Sequence, residues 1–292
     1  MAQIKQILVP TDFSDEANVA LDIATTIAKK IGANLSLLHV IDVPNADTIG
    51  TTGVDIMGTG LQTSADPRLQ KDYMDRLVAL SRERFNKLQE KHHEINIKAK
   101  LVFDNIQKQL ADFMVKSEAD LIVMGSKGSS GLEEIFVGSN AEKVIRTSKI
   151  PVITVKSPIE DFNIKKIVFA SDFKNVRPAV VDILKGYQQV FDAHIAFVKI
   201  ITPNTFETSP ETVSFIEQFA KKEGFENYSI HLHNHYTEEE GIRSFGDEID
   251  ADLLAMTTHG RTGLAHLFLG SIAEEVANHS VKPVLTFNQH FK

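Results

Sequence analysis

Short apolar runs alternate along the chain with longer stretches in which apolar positions recur every three or four residues. The short runs have the length of strands, and the longer stretches have the period of amphipathic helices. This alternation is typical of βαβ units and predicts an α/β fold with parallel sheets. Predicted strands cover 6–9, 34–40, 96–103, 120–124 and 151–155, then 166–170, 194–200, 228–235, 252–256 and 283–287. Predicted helices cover 14–31, 69–91, 105–117 and 139–148, then 176–191, 210–223, 238–249 and 271–279.

The same series of elements occurs twice. The segment ADLIVMGSKGSSGLEEIFVGSNAEKV at 119–144 recurs as ADLLAMTTHGRTGLAHLFLGSIAEEV at 251–276, an offset of 251 − 119 = 132 residues. Nearer the start of each half the offset is larger, because Asp12 matches Asp172 at 172 − 12 = 160. The first half therefore contains 160 − 132 = 28 additional residues, most of them in a long insertion at about 44–68.

The repeat predicts two domains, one at 1–157 with the insertion and one at 162–292. We expect each domain to be a doubly wound parallel five-stranded sheet with strand order 3-2-1-4-5. In such a sheet, ligands bind beyond the carboxyl ends of the strands, at the point where the strand order reverses.

Composition narrows the functional classes. The chain has 292 residues, of which 42% are hydrophobic and 24% charged, as in a globular protein. A formal net charge of −8 argues against a broad nucleic-acid surface. No apolar run approaches the roughly 18 to 20 residues of a membrane span, and the sequence starts directly in a strand pattern, so we expect a cytoplasmic protein without membrane insertion. The lack of cysteine excludes disulfides, thiolate chemistry and cysteine zinc sites.

A glycine-bearing loop follows a buried strand in each copy of the repeated segment, and a Gly-Ser pair opens the next helical pattern. Glycines permit a close approach of the main chain or a positive φ, and the N–H groups at a helix start attract phosphate. The Gly125 loop follows the fourth strand and Asp12 follows the first. These neighbours meet where the strand order reverses, which predicts a phosphate-containing ligand there.

The pattern Gly125-Ser126-Lys127-Gly128, followed after nine residues by Gly138-Ser139, occurs together with VPTDFS at 9–14 and LLHV at 37–40. This combination resembles the universal stress protein family, and it covers nearly the whole chain, once per half. The resemblance implies a tandem, stress-response regulatory protein. Some family members bind ATP through this glycine pattern and others do not. The ligand implied here is ATP, or ADP or AMP, with or without Mg²⁺.

Carried over by position, the resemblance assigns the first-half site residues. The nucleoside would contact Pro10, Thr11, Asp12 and Val40; the ribose side would be lined by Met124 and Gly125; the phosphates would be held by Gly128, Gly138, Ser139 and Asn140. Without a ligand, the same glycines would be turn residues, and Ser139 and Asp12 would be helix caps.

The second half departs from this pattern at two places. Thr257 occupies the position of Gly125, and Ala170-Ser171 replaces Pro10-Thr11. A β-branched residue is poorly suited to positive φ, and its side chain would project toward the ribose or phosphate. We therefore expect a weaker or altered second site. Its candidate residues are Asp172, Ile200, Gly260, Gly270 and Ser271.

Two rival functions stay open. A slow ATP hydrolase would need a base and a metal near the phosphates, and no fixed constellation marks a catalytic residue. A binder of a different small ligand, a lipid or metabolite, would use the altered second-half crevice. His231, His233 and His235 alternate on one strand face, which fits a polar sheet edge better than a metal site, so no metal site is predicted.

The resemblance also concerns assembly. It implies that the fifth strands, at 151–155 and 283–287, pair with each other at a sheet edge. The two halves would then be related by a pseudo-two-fold axis and form an intramolecular pseudo-dimer that mimics the dimer of single-domain relatives. A homodimer of the whole chain stays open, because such surfaces readily form isologous contacts.

Overall fold

The structure is a computed structural model that describes residues 4–42, 67–104, 118–126, 139–159, 162–204, 207–258 and 271–288. The predicted helix at 105–117 and most of the insertion lie outside these residues. Residues 67 and 68, at the end of the predicted insertion, already belong to a helix. Within the described ranges, no helix is both long and apolar enough to cross a bilayer.

The elements follow the predicted order in both halves. The first half contains β1 (Gln6–Pro10), α1 (Asp15–Ile31), β2 (Asn34–Asp42), α2 (Pro67–Lys91), β3 (Ile97–Asp104), β4 (Leu121–Gly125), α3 (Ser139–Thr147) and β5 (Val152–Val155). The second half contains β6 (Lys166–Ala170), α4 (Pro178–Phe191), β7 (His194–Ile201), α5 (Ser209–Glu223), β8 (Tyr228–Asn234), α6 (Glu238–Glu248), β9 (Leu253–Thr258), α7 (Ser271–His279) and β10 (Val284–Asn288).

The ten strands form one continuous sheet in the order β3-β2-β1-β4-β5-β10-β9-β6-β7-β8. Each half has the predicted 3-2-1-4-5 order, with parallel neighbours, so the prediction of two doubly wound α/β halves is confirmed. The halves meet through β5 and β10, which pair antiparallel. Two equivalent edge strands that pair about a two-fold axis run antiparallel. Because β5 and β10 pair with each other, neither of these two strands is an open edge that another chain could pair with.

The junction between the halves is symmetric in its hydrogen bonds. The Thr154 hydroxyl lies 3.4 Å from the carbonyl oxygen of Val284, and the Thr286 hydroxyl lies 3.3 Å from that of Val152. Thr286 is the counterpart of Thr154 and Val284 is the counterpart of Val152 at the offset of 132, so the two bonds are equivalent. This reciprocity is the mark of a pseudo-two-fold axis through the middle of the sheet.

A second reciprocal pair joins each half to a helix of the other. Lys156 Nζ donates to the carbonyl oxygen of Asn278 at 3.1 Å, in the last turn of α7. Asn288 Nδ2 donates to the carbonyl oxygen of Arg146 at 2.7 Å, in the last turn of α3. Carbonyls in a last helical turn lack partners within the helix, so these side chains satisfy them from across the junction.

Helices cover both faces of the sheet. One core cluster contains side chains of α1, α2, α4 and α5, and the other contains side chains of α3, α6 and α7. α1 shows why these segments form helices: Ser14 caps its start by accepting from the Ala17 N–H, and Gly32 ends it at φ 71°. Its buried positions form one stripe against the sheet.

The hydroxyl of Tyr187 is a buried polar group in the core cluster that contains side chains of α1, α2, α4 and α5. Tyr187 on α4 is 1% exposed, and its hydroxyl has no hydrogen-bond partner among the described residues. Burial also raises the pKa of this hydroxyl. Tyr187→Phe is therefore expected to increase the free energy of unfolding by about 1 kcal/mol, because an unsatisfied buried donor is removed with little change of shape. Urea unfolding followed by circular dichroism tests this, and a less stable variant would show that the hydroxyl is in fact hydrogen-bonded.

Candidate functional site

The loop between β1 and α1 is held by its own side chains. The Phe13 N–H donates to Thr11 Oγ1 at 2.9 Å, and the Ser14 N–H donates to Asp12 Oδ1 at 3.0 Å. Phe13 between them has a left-handed φ of 64°. These two side-chain turns direct the chain across the carboxyl end of β1 and fix the place of Asp12 there.

The second half builds the same turn. The Phe173 N–H donates to Ser171 Oγ at 3.0 Å, the Lys174 N–H donates to Asp172 Oδ1 at 3.0 Å, and Phe173 has a φ of 59°. The pattern hydroxyl-Asp-Phe therefore encodes the turn in both halves. The replacement of Pro10-Thr11 by Ala170-Ser171 leaves this local conformation intact.

Gly125 ends β4 against the first turn of α1. A Cβ atom at Gly125 would lie 3.0 Å from the carbonyl carbon and from the Cβ of Glu16, and 3.1 Å from the Glu16 carbonyl oxygen. Gly125 is not among the described glycines with positive φ, and its close neighbour in the structure is Glu16 of the same chain. The expected approach of a ligand to Gly125 stays a prediction. The next residue, Ser126, is buried and donates its N–H to the Val155 carbonyl oxygen at 2.8 Å.

The second half tolerates Thr257 at the matching position because its helix starts later. The position that matches the start of α1, Asp15, is 15 + 160 = 175, yet α4 begins at Pro178. The counterpart of Glu16 is Val176, which precedes α4. The helical turn that crowds Gly125 is therefore missing beside Thr257.

The apolar positions proposed for the base differ in exposure between the halves. Val40 on β2 is partly buried and packs at the edge of the core on the α3 side, together with the buried Met124. Its counterpart Ile200 is only 7% exposed, and a Cβ at Gly241 of α6 would lie 2.6 Å from Ile200 Cγ2. α6 therefore packs directly onto the second-half position.

Six of the first-half candidates lie at the carboxyl ends of three adjacent strands, β2, β1 and β4. They are Pro10, Thr11, Asp12, Val40, Met124 and Gly125. Ser139 and Asn140 are the first residues of α3, and Ser271 is the first residue of α7. The glycines at 128, 138, 260 and 270 lie outside the described residues.

His233 on β8 and His235, which directly follows this strand, both lie against α6. His233 Nε2 lies 2.9 Å from Ser244 Oγ, and His235 Nδ1 lies 3.6 Å from a carboxylate oxygen of Glu240. β8 is an edge strand of the sheet, as expected. In the part of the chain that the structure describes, no group of three or more His, Cys, Asp or Glu side chains is arranged to hold a metal ion.

Comparison with known proteins identifies the family. The family model described as "Universal stress protein family" matches residues 3–156 and 163–288, which is nearly the whole chain in two copies. The chain belongs to the universal stress protein family. The resemblance seen in the glycine pattern and in VPTDFS and LLHV is thereby confirmed.

Three similar proteins show how far the likeness to other universal stress proteins extends. Universal stress protein Slr1230 of Synechocystis sp. is 26% identical over 298 residues, covering 97% of this chain and 100% of that protein. Universal stress protein MJ0531 of Methanocaldococcus jannaschii is 31% identical over 154 residues, covering 53% of this chain and 83% of its own length. A crystal structure of a universal stress protein from Archaeoglobus fulgidus covers 98% of this chain and 99% of its own at 20% identity, with a TM-score of 0.73, and shows the same fold.

His39, a residue of the LLHV motif, was not a site candidate, yet it contacts the Asp12 loop in this universal stress protein. Its Nδ1 lies 2.8 Å from the Thr11 carbonyl oxygen. Burial lowers the pKa of His39, and Arg84 acts in the same direction, while the bond to Thr11 and the charge of Asp12 oppose this change. The sequence signal that could have identified His39 is its position as a polar residue within an apolar strand. Its partner is 28 positions away, so periodicity alone could not reveal it.

The matching residue in the second half makes a different contact. Lys199 is 8% exposed, and its Nζ pairs with the carboxylate of Glu207, which also lies 3.5 Å from Lys174 Nζ. The hydrogen bond from Lys199 lowers the pKa of Glu207. A buried cation is retained here because a carboxylate compensates it.

Proposed function

We propose that this universal stress protein binds ATP, or ADP or AMP, in its first half and acts as a ligand-dependent regulatory protein in a stress response. One observation carries the proposal. Asp12 and Gly125 lie at the carboxyl ends of the adjacent parallel strands β1 and β4, where the strand order of the half reverses. That is the place where open α/β sheets bind nucleotides.

Each part of the nucleotide has a matching group at this place. The carboxylate of Asp12 can accept hydrogen bonds from the ribose or the adenine, and Val40 and Met124 offer the base an apolar edge. The phosphates would lie at Gly128, Gly138 and the start of α3, where Ser139 and Asn140 open the helix. The N–H groups of a helix start and the helix dipole both favour a phosphate there. A Mg²⁺ ion would neutralise part of the phosphate charge.

The second half is proposed to have a structural role at its matching crevice, with ATP bound less tightly or not at all. Thr257 replaces the glycine, and Ile200 is buried whereas its counterpart Val40 is only partly buried. Bound nucleotide in the first half would change the surface between β4 and α3 that a partner contacts. Phosphate release measured in the same samples would decide between a binding protein and a slow hydrolase.

Calorimetric titration of the full chain with ATP tests the proposal. One site per chain is expected. Asp12→Ala should weaken ATP binding about tenfold or more, because a hydrogen bond to a charged acceptor is lost. Asp172→Ala is the matched control, since it removes the same kind of turn in the other half and should leave the affinity unchanged.

Two results would contradict the proposal. The absence of any binding heat, confirmed by equilibrium dialysis, would remove nucleotide binding altogether. Two equal sites, both sensitive to their own aspartate, would overturn the assignment to the first half alone.

A further inference from the structure

His39 contacts the residues on both sides of Asp12. Its Nδ1 lies 2.8 Å from the carbonyl oxygen of Thr11, and its ring centroid lies 4.5 Å from that of Phe13. A carbonyl oxygen only accepts, so Nδ1 must carry the proton. The carbonyl of Thr11 belongs to the peptide that leads into Asp12, and the bond therefore fixes the plane from which the Asp12 side chain departs.

Phe13 needs support because of its backbone. Its φ of 64° lies in the left-handed region, which bulky residues rarely adopt. Besides His39, the Phe13 ring contacts Phe85 at 5.4 Å between centroids, and the Arg84 guanidinium carbon lies 5.3 Å from the ring centroid. β2 and α2 thus hold the loop at Phe13, immediately after Asp12.

The second half shows that the turn forms without a histidine. Lys199, the counterpart of His39, pairs with Glu207, and Phe173 packs instead on Phe169 and Phe197 at 5.8 and 5.6 Å between centroids. The hydrogen bonds within the two turns are nevertheless equivalent. The imidazole is therefore not required for the turn to fold, and its contacts are particular to the half in which we place the nucleotide.

We propose that His39 is a positioning residue for nucleoside recognition. It orients Asp12 through its contacts with the Thr11 carbonyl and the Phe13 ring, and it does not touch the ligand. This inference rests on the proposed nucleotide site. It concerns the nucleoside end of the ligand alone, because the phosphates lie at the other end, beside α3. His39 therefore controls the preference for a nucleotide over a bare polyphosphate.

Two substitutions separate the hydrogen bond from general packing. In His39→Asn the amide nitrogen can reach the place of Nδ1, while in His39→Gln the donor is displaced by one methylene toward the place of Nε2. Each full-length variant is titrated with ATP and, separately, with inorganic tripolyphosphate. We expect His39→Gln to weaken ATP binding about tenfold and to leave tripolyphosphate binding unchanged. His39→Asn should keep most of the ATP affinity.

Lys199→Gln is the position-matched control and should leave ATP binding unchanged. A second measurement needs no variant: the Nδ1 proton of His39, observed by nuclear magnetic resonance, should shift when ATP is added and stay in place when tripolyphosphate is added. This measurement decides the matter if His39→Gln does not fold.

Three outcomes would overturn the proposal. Equal losses for ATP and tripolyphosphate in His39→Gln would show that the histidine acts on the whole domain. Unchanged ATP binding in both variants would show that Asp12 is positioned without it, while the proposed function would stand. A wild-type chain that binds neither ligand would overturn the proposed function and this inference with it.

Discussion

Gly125→Thr should reduce the ATP affinity of the chain at least tenfold and lower its free energy of unfolding by about 2 kcal/mol. The substitution introduces the residue that the second half has at this position. A Cβ atom would lie 3.0 Å from main-chain and side-chain carbon atoms of Glu16, so β4 and the start of α1 must move apart. Asp12 lies in the loop between β1 and α1, shortly before the start of α1, and would move with it.

The reciprocal substitution is the control for this prediction. Thr257→Gly should not create an ATP site of equal strength, because the late start of α4 and the burial of Ile200 remain. Gly125→Ala should lie between wild type and Gly125→Thr. Isothermal calorimetry and urea unfolding of these variants provide the two readouts. If Gly125→Thr had wild-type stability and affinity, the close approach to Glu16 would have no part in building the site.

Leu285→Ala is expected to cost about 3 kcal/mol of unfolding free energy, the range for a leucine deleted from a packed core. Leu285 is fully buried on β10 and faces Ile153 of β5 across the junction. The core cluster that contains both residues also contains side chains of α1 and α4, one helix from each half. The loss of stability should therefore affect both halves together, and unfolding should remain a single transition.

Ile153→Val, across the same strand pair, is the control and should cost about 1 kcal/mol because a single methylene is removed. The chain has no tryptophan, so circular dichroism and tyrosine fluorescence are the suitable probes. Two separated unfolding transitions in Leu285→Ala, with one half at wild-type stability, would contradict the expectation of a shared core.

The fold could be predicted from the sequence, because strands and helices produce periodic patterns among neighbouring residues. Periodicity placed the strands and helices, and the repeat at offsets of 160 and 132 aligned the two halves. The start of α4 was predicted at 176 and lies at Pro178, a small difference with a consequence for Thr257. Proline is favoured in the first turn of a helix, and this preference determined the start.

The candidate site was predicted less completely, because its contacts join distant positions. The sequence indicated that a ligand approaches Gly125, but it did not indicate that Glu16 of the same chain also lies close to this glycine. His39 and its bond to Thr11 were not predicted, and neither was the pairing of Lys199 with Glu207. Such pairs depend on which side chains neighbouring strands and loops bring together, and no periodic pattern records that.

The reciprocal hydrogen bonds at the junction have a consequence for the history of this chain. In a dimer of identical subunits, every substitution at a symmetric position appears twice, and both copies must tolerate it. Here one junction position holds Lys156 and its equivalent holds Asn288, although each completes the same bond to the opposite helix. In a single polypeptide the two copies can change independently, and the matching positions Gly125 and Thr257 differ in the same way.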